Sequence, residues 1–125
     1  AGTHFLGEPS GDLKTMYQVV RDALKIGVEI VRPGLRANQI DSRLRGLIED
    51  AGYPVYPHHT GHGLGASFHE EPRLVPYNDL ALEAGMVVAI EPGIYLPGVG
   101  GVRLEDVVLV TRDGCELLTQ HLVGR

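Results

Sequence analysis

The chain has one cysteine, no tryptophan and two methionines in 125 residues. A lone thiol, Cys115, cannot close an internal disulfide, and that cysteine usage fits a reducing cytoplasm. No apolar run approaches the ~20 residues that span a bilayer. Ala1-Gly2-Thr3-His4-Phe5 has neither the basic start nor the apolar core of a secretion signal. Positive charge is scarce: 11 Lys and Arg stand against 16 Asp and Glu, a net charge of −5. That balance argues against non-specific nucleic-acid binding and against an anionic membrane surface. There is no internal repeat and no low-complexity segment. An initiator methionine is also missing, and Thr3 to Leu6 reads as a strand already under way. The expectation is a piece of something longer.

What is present suits one compact α+β domain. The hydrophobic fraction of 43% and charged fraction of 22% are ordinary for a globular chain. After the turn Gly7-Glu8-Pro9-Ser10, apolar Leu13, Met16, Tyr17, Val20, Leu24 and Val28 recur at three and four. This predicts a helix, capped by Ser10 or Asp12 and stopped by Pro33-Gly34. A second helix is predicted from about Asn38 to Ala51, striped by Ile40, Leu44, Leu47 and Ile48 and ended by Gly52. Pro54 and Pro57 then exclude helix. The stretch from His58 to Pro72 reads as strand and turn, and Leu74 to Ala84 as a connector. Met86 to Ile90 is almost wholly apolar, the mark of a strand buried on both faces. Val102 to Val110 reads as one further strand with Glu105-Asp106 inside it, and Glu116 to Leu118 as a closing strand.

Four of the six histidines crowd into residues 58–69. His58, His62 and His69 stand at spacings of four and seven, separated by glycines. Such a cluster suggests metal or acid–base chemistry without deciding between them. Two carboxylates narrow the choice. Glu91 ends a buried apolar strand and Glu105 lies within another, where a bare charge is costly. A shared divalent cation would neutralise both and accept a histidine, giving His62, Glu91 and Glu105 as a candidate ligand set. The alternative is that both glutamates face solvent. Alternation permits this for Glu105, whereas Pro92-Gly93 beside Glu91 speaks against it. His4, His59 and His121 read as surface residues, Glu70 and Glu71 as an outlying or solvated pair, Asp106 as strand support and Cys115 as a bystander.

Three ordered motifs then meet a known pattern. Gly61-His62-Gly63-Leu64-Gly65 with His69-Glu70-Glu71-Pro72, Glu91-Pro92-Gly93-Ile94-Tyr95, and Gly100-Gly101-Val102-Arg103-Leu104-Glu105-Asp106 resemble the pita-bread metallopeptidases. That family includes methionine aminopeptidase, aminopeptidase P and prolidase. With no lysine after it, the glycine run is no phosphate loop. The resemblance implies the second half of a pita-bread fold, two helices followed by an antiparallel curved sheet, across residues 1–125. It implies metal roles for His62, Glu91 and Glu105, catalytic roles for His58 and His69, and substrate contacts for Tyr95 and Arg103. His58 and the short interval from Glu91 to Glu105 match the proline-directed branch. The implied activity is therefore an Xaa-Pro aminopeptidase or dipeptidase acting on a small peptide. Methionine aminopeptidase, a creatinase-like hydrolase and a non-catalytic peptide-binding module of the same fold are the alternatives.

The family also uses two aspartates ahead of these motifs, and here the pattern is joined only at Thr3. Asp12, Asp22, Asp41 and Asp50 all fall on predicted helices and cannot replace them. Two ions (Mn, Co or Zn) bring four positive charges, and two carboxylates balance one ion. The resemblance thus implies two ions in the complete enzyme, at most one here, and weak or no peptidase activity. A half-fold with an uncovered strand edge is also expected to self-associate as a homo-oligomer.

Overall fold

A computed structural model describes residues 1–120; His121 lies outside the described residues. Helix α1 spans Gly11–Ile30, and the Ser10 hydroxyl accepts from the Leu13 amide at 3.3 Å to cap it. Met16, Val20, Ala23, Leu24 and Gly27 form its buried face. Helix α2 spans Ala37–Asp50. The Gln39 side chain reaches back to accept from the Arg36 amide at 2.8 Å, satisfying one of the amides a helix start leaves free. Gly52, at φ +87°, turns the chain out of α2 in the left-handed conformation that glycine tolerates.

Seven strands are described: β1 Gly61–Gly63, β2 Glu70–Leu74, β3 Val87–Ile90, β4 Gly93–Leu96, β5 Gly100–Arg103, β6 Asp106–Val110 and β7 Cys115–Leu117. Five form an antiparallel sheet in the order β2-β1-β3-β6-β7, and β4 and β5 form a separate hairpin. The apolar strand read from Met86 to Ile90 is thus the centre of the large sheet. Val88, Ile90, Val108 and Val110 join Met16, Val20, Leu24, Ile40, Leu44 and Ile48 in one buried core. Helix α1 packs on both sheets, while α2 packs on α1 and β2.

Two strand expectations need correction. Thr3 to Leu6 is not a strand. Instead the Thr3 hydroxyl donates to the Arg103 carbonyl at 2.9 Å and accepts from the Arg103 amide at 3.2 Å, so a side chain takes the place of a ladder. Nor is Val102 to Val110 one strand. β5 pairs with β4 and β6 pairs with β3, and Leu104-Glu105 is the crossing between the two sheets. Both pieces are apolar and alternate, so a change of sheet leaves the sequence pattern intact. Glu105 therefore stands at a strand junction, not inside a strand. The connector is shorter than read, since β2 runs to Leu74 and an isolated bridge joins Ala81 to Arg36.

Candidate metal centre

Sheet register brings three distant side chains to one point. Ile90 pairs with Asp106, so the next residue on one strand, Glu91, comes beside the preceding residue on the other, Glu105. His62 pairs with Ala89, whose methyl leaves room on the same face. One potential ligand atom from each of His62, Glu91 and Glu105 lies within 4.8 Å of the others. The glycines around His62 are required by this packing. A Cβ at position 61 would lie 1.9 Å from the Ala89 carbonyl oxygen, and one at 63 would lie 2.1 Å from that of Glu71.

The donor set fits a divalent cation. His62 is 5% exposed, and its Nδ1 lies 3.0 Å from the Gly63 carbonyl oxygen. A carbonyl can only accept, so Nδ1 carries the proton and Nε2 keeps its lone pair for a cation. Two carboxylates and one imidazole supply the charge and donor types that first-row divalent ions take. Glu91 and, at the β5–β6 junction, Glu105 are both half-buried. Next to Glu105, buried Asp106 accepts from the Thr119 hydroxyl at 2.7 Å, in keeping with strand support.

The other histidines divide into two settings. His69 stands edge-on to His62, ring centroids 4.0 Å apart, and Phe68 leans on its other side at 4.1 Å. The loop carrying it wraps a carboxylate. The Ser67 amide donates to Oε2 of Glu70 at 3.2 Å, and a Cβ on Gly65 would lie 2.0 Å from Oε1. Glu70 and Glu71 are therefore not a pair, because Glu71 turns outward onto Arg73 at 2.6 Å. His58 faces Tyr95 instead. Its Nδ1 donates to the His59 carbonyl at 2.8 Å, so in the neutral imidazole Nε2 is the acceptor for the Tyr95 hydroxyl, 2.6 Å away.

Tyr95 lies over Gly93 and Gly101, where a Cβ would come 2.6 Å from its hydroxyl and 2.7 Å from its ring. Burial raises the Tyr95 pKa, while the nearby Arg103 charge opposes the shift. His4 and His59 are exposed, as read. Cys115, read as a bystander, is half-buried and donates to the Val28 carbonyl at 3.2 Å.

Sequence reasoning missed Asp41, Arg45, Tyr56 and Thr60, which form a buried polar cluster behind His58. The available signal was an aspartate next to Ile40 at the edge of an apolar stripe, with an arginine four positions on.

Comparison with known proteins agrees with this geometry. The chain is 44% identical over 119 residues to the Xaa-Pro dipeptidase of Pyrococcus horikoshii, covering 94% of this chain and 34% of that protein. The prolidase from Pyrococcus furiosus superposes with a TM-score of 0.92 at 42% identity, covering 95% of this chain and 36% of that one. A methionine aminopeptidase from Rickettsia prowazekii superposes at 0.79 with 30% identity, covering 93% and 56%. The chain spans about a third of the length of the dipeptidase and the prolidase. Its two helices and antiparallel sheets have the pita-bread architecture of these neighbours. The family model for metallopeptidase family M24 matches residues 1–112, and the chain belongs to that family.

Proposed function

We propose that residues 1–125 are the C-terminal half of a metallopeptidase catalytic domain that hydrolyses Xaa-Pro bonds in small peptides. The carrying observation is the convergence of His62, Glu91 and Glu105 within 4.8 Å. Those three would hold one divalent cation, Mn, Co or Zn, and two carboxylates neutralise its charge. Such a cation, when bound, acidifies a water and polarises a peptide carbonyl.

The chain's own residues supply the rest. The hydrogen-bonded His58 and Tyr95 offer a donor and a proton acceptor to a peptide carbonyl and its tetrahedral product. His69, edge-on to His62, offers a second donor on the loop side. Exposed Arg103 offers a cation to a substrate carboxylate. The His58–Tyr95 pair favours proline-directed cleavage over methionine removal. So does the greater identity to the prolidase than to the methionine aminopeptidase. Exposed Phe5, Leu6, Phe68 and Tyr77 support self-association, to be checked by light scattering at tens of micromolar. A cytoplasmic setting agrees with the single half-buried thiol. No helix among the described residues is long and apolar enough to cross a membrane.

Two measurements on this chain test the proposal. Calorimetric titration with Mn²⁺ gives binding of one ion, and the His62→Ala, Glu91→Ala variant gives none. With Mn²⁺ bound, an Xaa-Pro dipeptide shifts the nuclear magnetic resonance signals of His58, His69, Tyr95 and Arg103. Equal shifts with a dipeptide led by methionine and lacking proline would overturn the proline assignment. Equal heats for the two proteins would overturn the site itself.

A further inference from the structure

Behind His58 lies a buried polar cluster that none of the proposed chemistry uses. Asp41 and Thr60 are 1% and 0% exposed. Oδ1 of Asp41 accepts from the Thr60 hydroxyl at 2.7 Å and from Nε of Arg45 at 2.8 Å. Thr60 has one hydroxyl proton, and the carboxylate takes it. The Tyr56 hydroxyl, 2.6 Å from the same oxygen, must therefore be the donor of that contact. Arg45 extends the cluster to the main chain. Its Nη1 donates to the Tyr56 carbonyl at 2.7 Å and its Nη2 to the His58 carbonyl at 2.8 Å. Its guanidinium also covers the Tyr56 ring, 4.6 Å from the centroid. The opposite end of the array is His58, whose ring stacks with that of Tyr56 at 4.9 Å and 20°.

A buried aspartate with an arginine four positions on could serve only to tie α2 to the sheet. Two features go further. The planar guanidinium spans two carbonyls of the segment that ends in His58, a task its fixed fork suits and a lysine ammonium does not. The ring that Arg45 covers is also the ring that supports the imidazole. Position and plane of His58 are thus set from α2, and only then do its ring nitrogens meet the His59 carbonyl and Tyr95.

We infer that Asp41 and Arg45 are positioning residues for His58, holding residues 56–60 so that Nε2 meets the Tyr95 hydroxyl. What His58 does once positioned rests on the proposed peptidase reading; its positioning does not. The test is ring-nitrogen magnetic resonance of the ¹⁵N-labelled chain at a single pH. In the unaltered protein His58 shows the Nδ1-protonated tautomer. Arg45→Lys, which keeps the charge and loses the fork, moves His58 toward a tautomer mixture, and Asp41→Asn does the same. His62 keeps its own tautomer in both. Thr60→Ser, which preserves the hydroxyl relay, leaves His58 unchanged.

Three results overturn the assignment. His58 could stay unchanged in both Arg45→Lys and Asp41→Asn. His58 and His62 could change together, or both variants could fail to fold, and a general stabilising role would then suffice. His58 could change as much in Thr60→Ser as in Arg45→Lys. Neither Mn²⁺ binding nor dipeptide binding is a readout here, so their absence counts against the proposed function and leaves this test intact.

Discussion

Tyr56 and Thr60 are joined by a 2.6 Å hydrogen bond in which the phenol is the donor. The pair lies under the segment that carries His58, with Tyr56 2% exposed. Burial is the main cause of a Tyr56 pKa pushed up to about 12, with the Thr60 contact and the Arg45 charge opposing. The folded pKa lies above the ordinary value of about 10 that an unfolded chain would show. The associated stability is therefore complete below about pH 10 and is lost as pH rises toward 12. A two-unit shift corresponds to roughly 2–3 kcal/mol at most. Of five tyrosines, Tyr56 and Tyr95 are both shifted upward by burial, and Tyr56, pushed up to about 12, should give the last phase of a spectrophotometric titration. In Tyr56→Phe that late phase should disappear.

The glycines flanking His62 make a sharper prediction about the site. Gly63→Ala places a methyl 2.1 Å from a carbonyl oxygen that belongs to a paired strand and cannot swing aside. Overpacking of this kind costs about 1–3 kcal/mol or more. β1 should separate from β2, and Mn²⁺ affinity should fall with stability. Urea unfolding and calorimetry on the same preparation check it. An unchanged unfolding midpoint would mean that the two strands do not approach as closely as described.

Leu44 reports on the packing of the helix pair. It is 0% exposed and lies against Gly27 of α1, where a Cβ would meet its Cδ2 at 3.0 Å. Leu44→Ala should cost about 2–5 kcal/mol, because the contact leaves a cavity that two packed helices cannot close. Denaturant titration gives the figure directly.

Cys115 should be a slow thiol. Burial raises its pKa, and its Sγ is engaged with the Val28 carbonyl. Less thiolate means slower attack on a disulfide reagent. At pH 8 the folded chain should react more slowly than the same chain in urea. Equal rates would place the thiol in free solvent.

How far the sequence carried depended on what kind of information each feature holds. The helices were readable because an apolar stripe recurs at three and four, and Ser10 and Gly52 punctuate them locally. The grouping of His62, Glu91 and Glu105 was readable because His62 lies between glycines, Pro92-Gly93 follows Glu91, and Glu105 is a charge set among apolar strand residues. The change of sheet between Arg103 and Asp106 was hidden, since both strands keep the same alternation on either side of it. Thr3 imitated a strand because a β-branched residue suits one, yet its hydroxyl does the bonding. The Asp41–Thr60 contact could not be read at all. It joins a helix to a loop 19 positions on, and neither residue type is unusual where it stands.

Metal should stabilise the chain as well as occupy it. His62, Glu91 and Glu105 come from β1, the end of β3 and the β5–β6 junction, so an ion there links both sheets. The unfolded chain scatters the same three groups and cannot match that affinity. A ligand bound to the native state alone adds about 2.7 kcal/mol at a hundredfold excess over its dissociation constant. The melting temperature should therefore climb with Mn²⁺ concentration and return to its starting value on adding a chelator. Glu105→Gln removes one charge from the site and should flatten that climb. Thr60→Ser keeps its contacts and should not. A melting temperature indifferent to Mn²⁺ while calorimetry still reports binding would place the ion elsewhere on the surface, away from His62, Glu91 and Glu105.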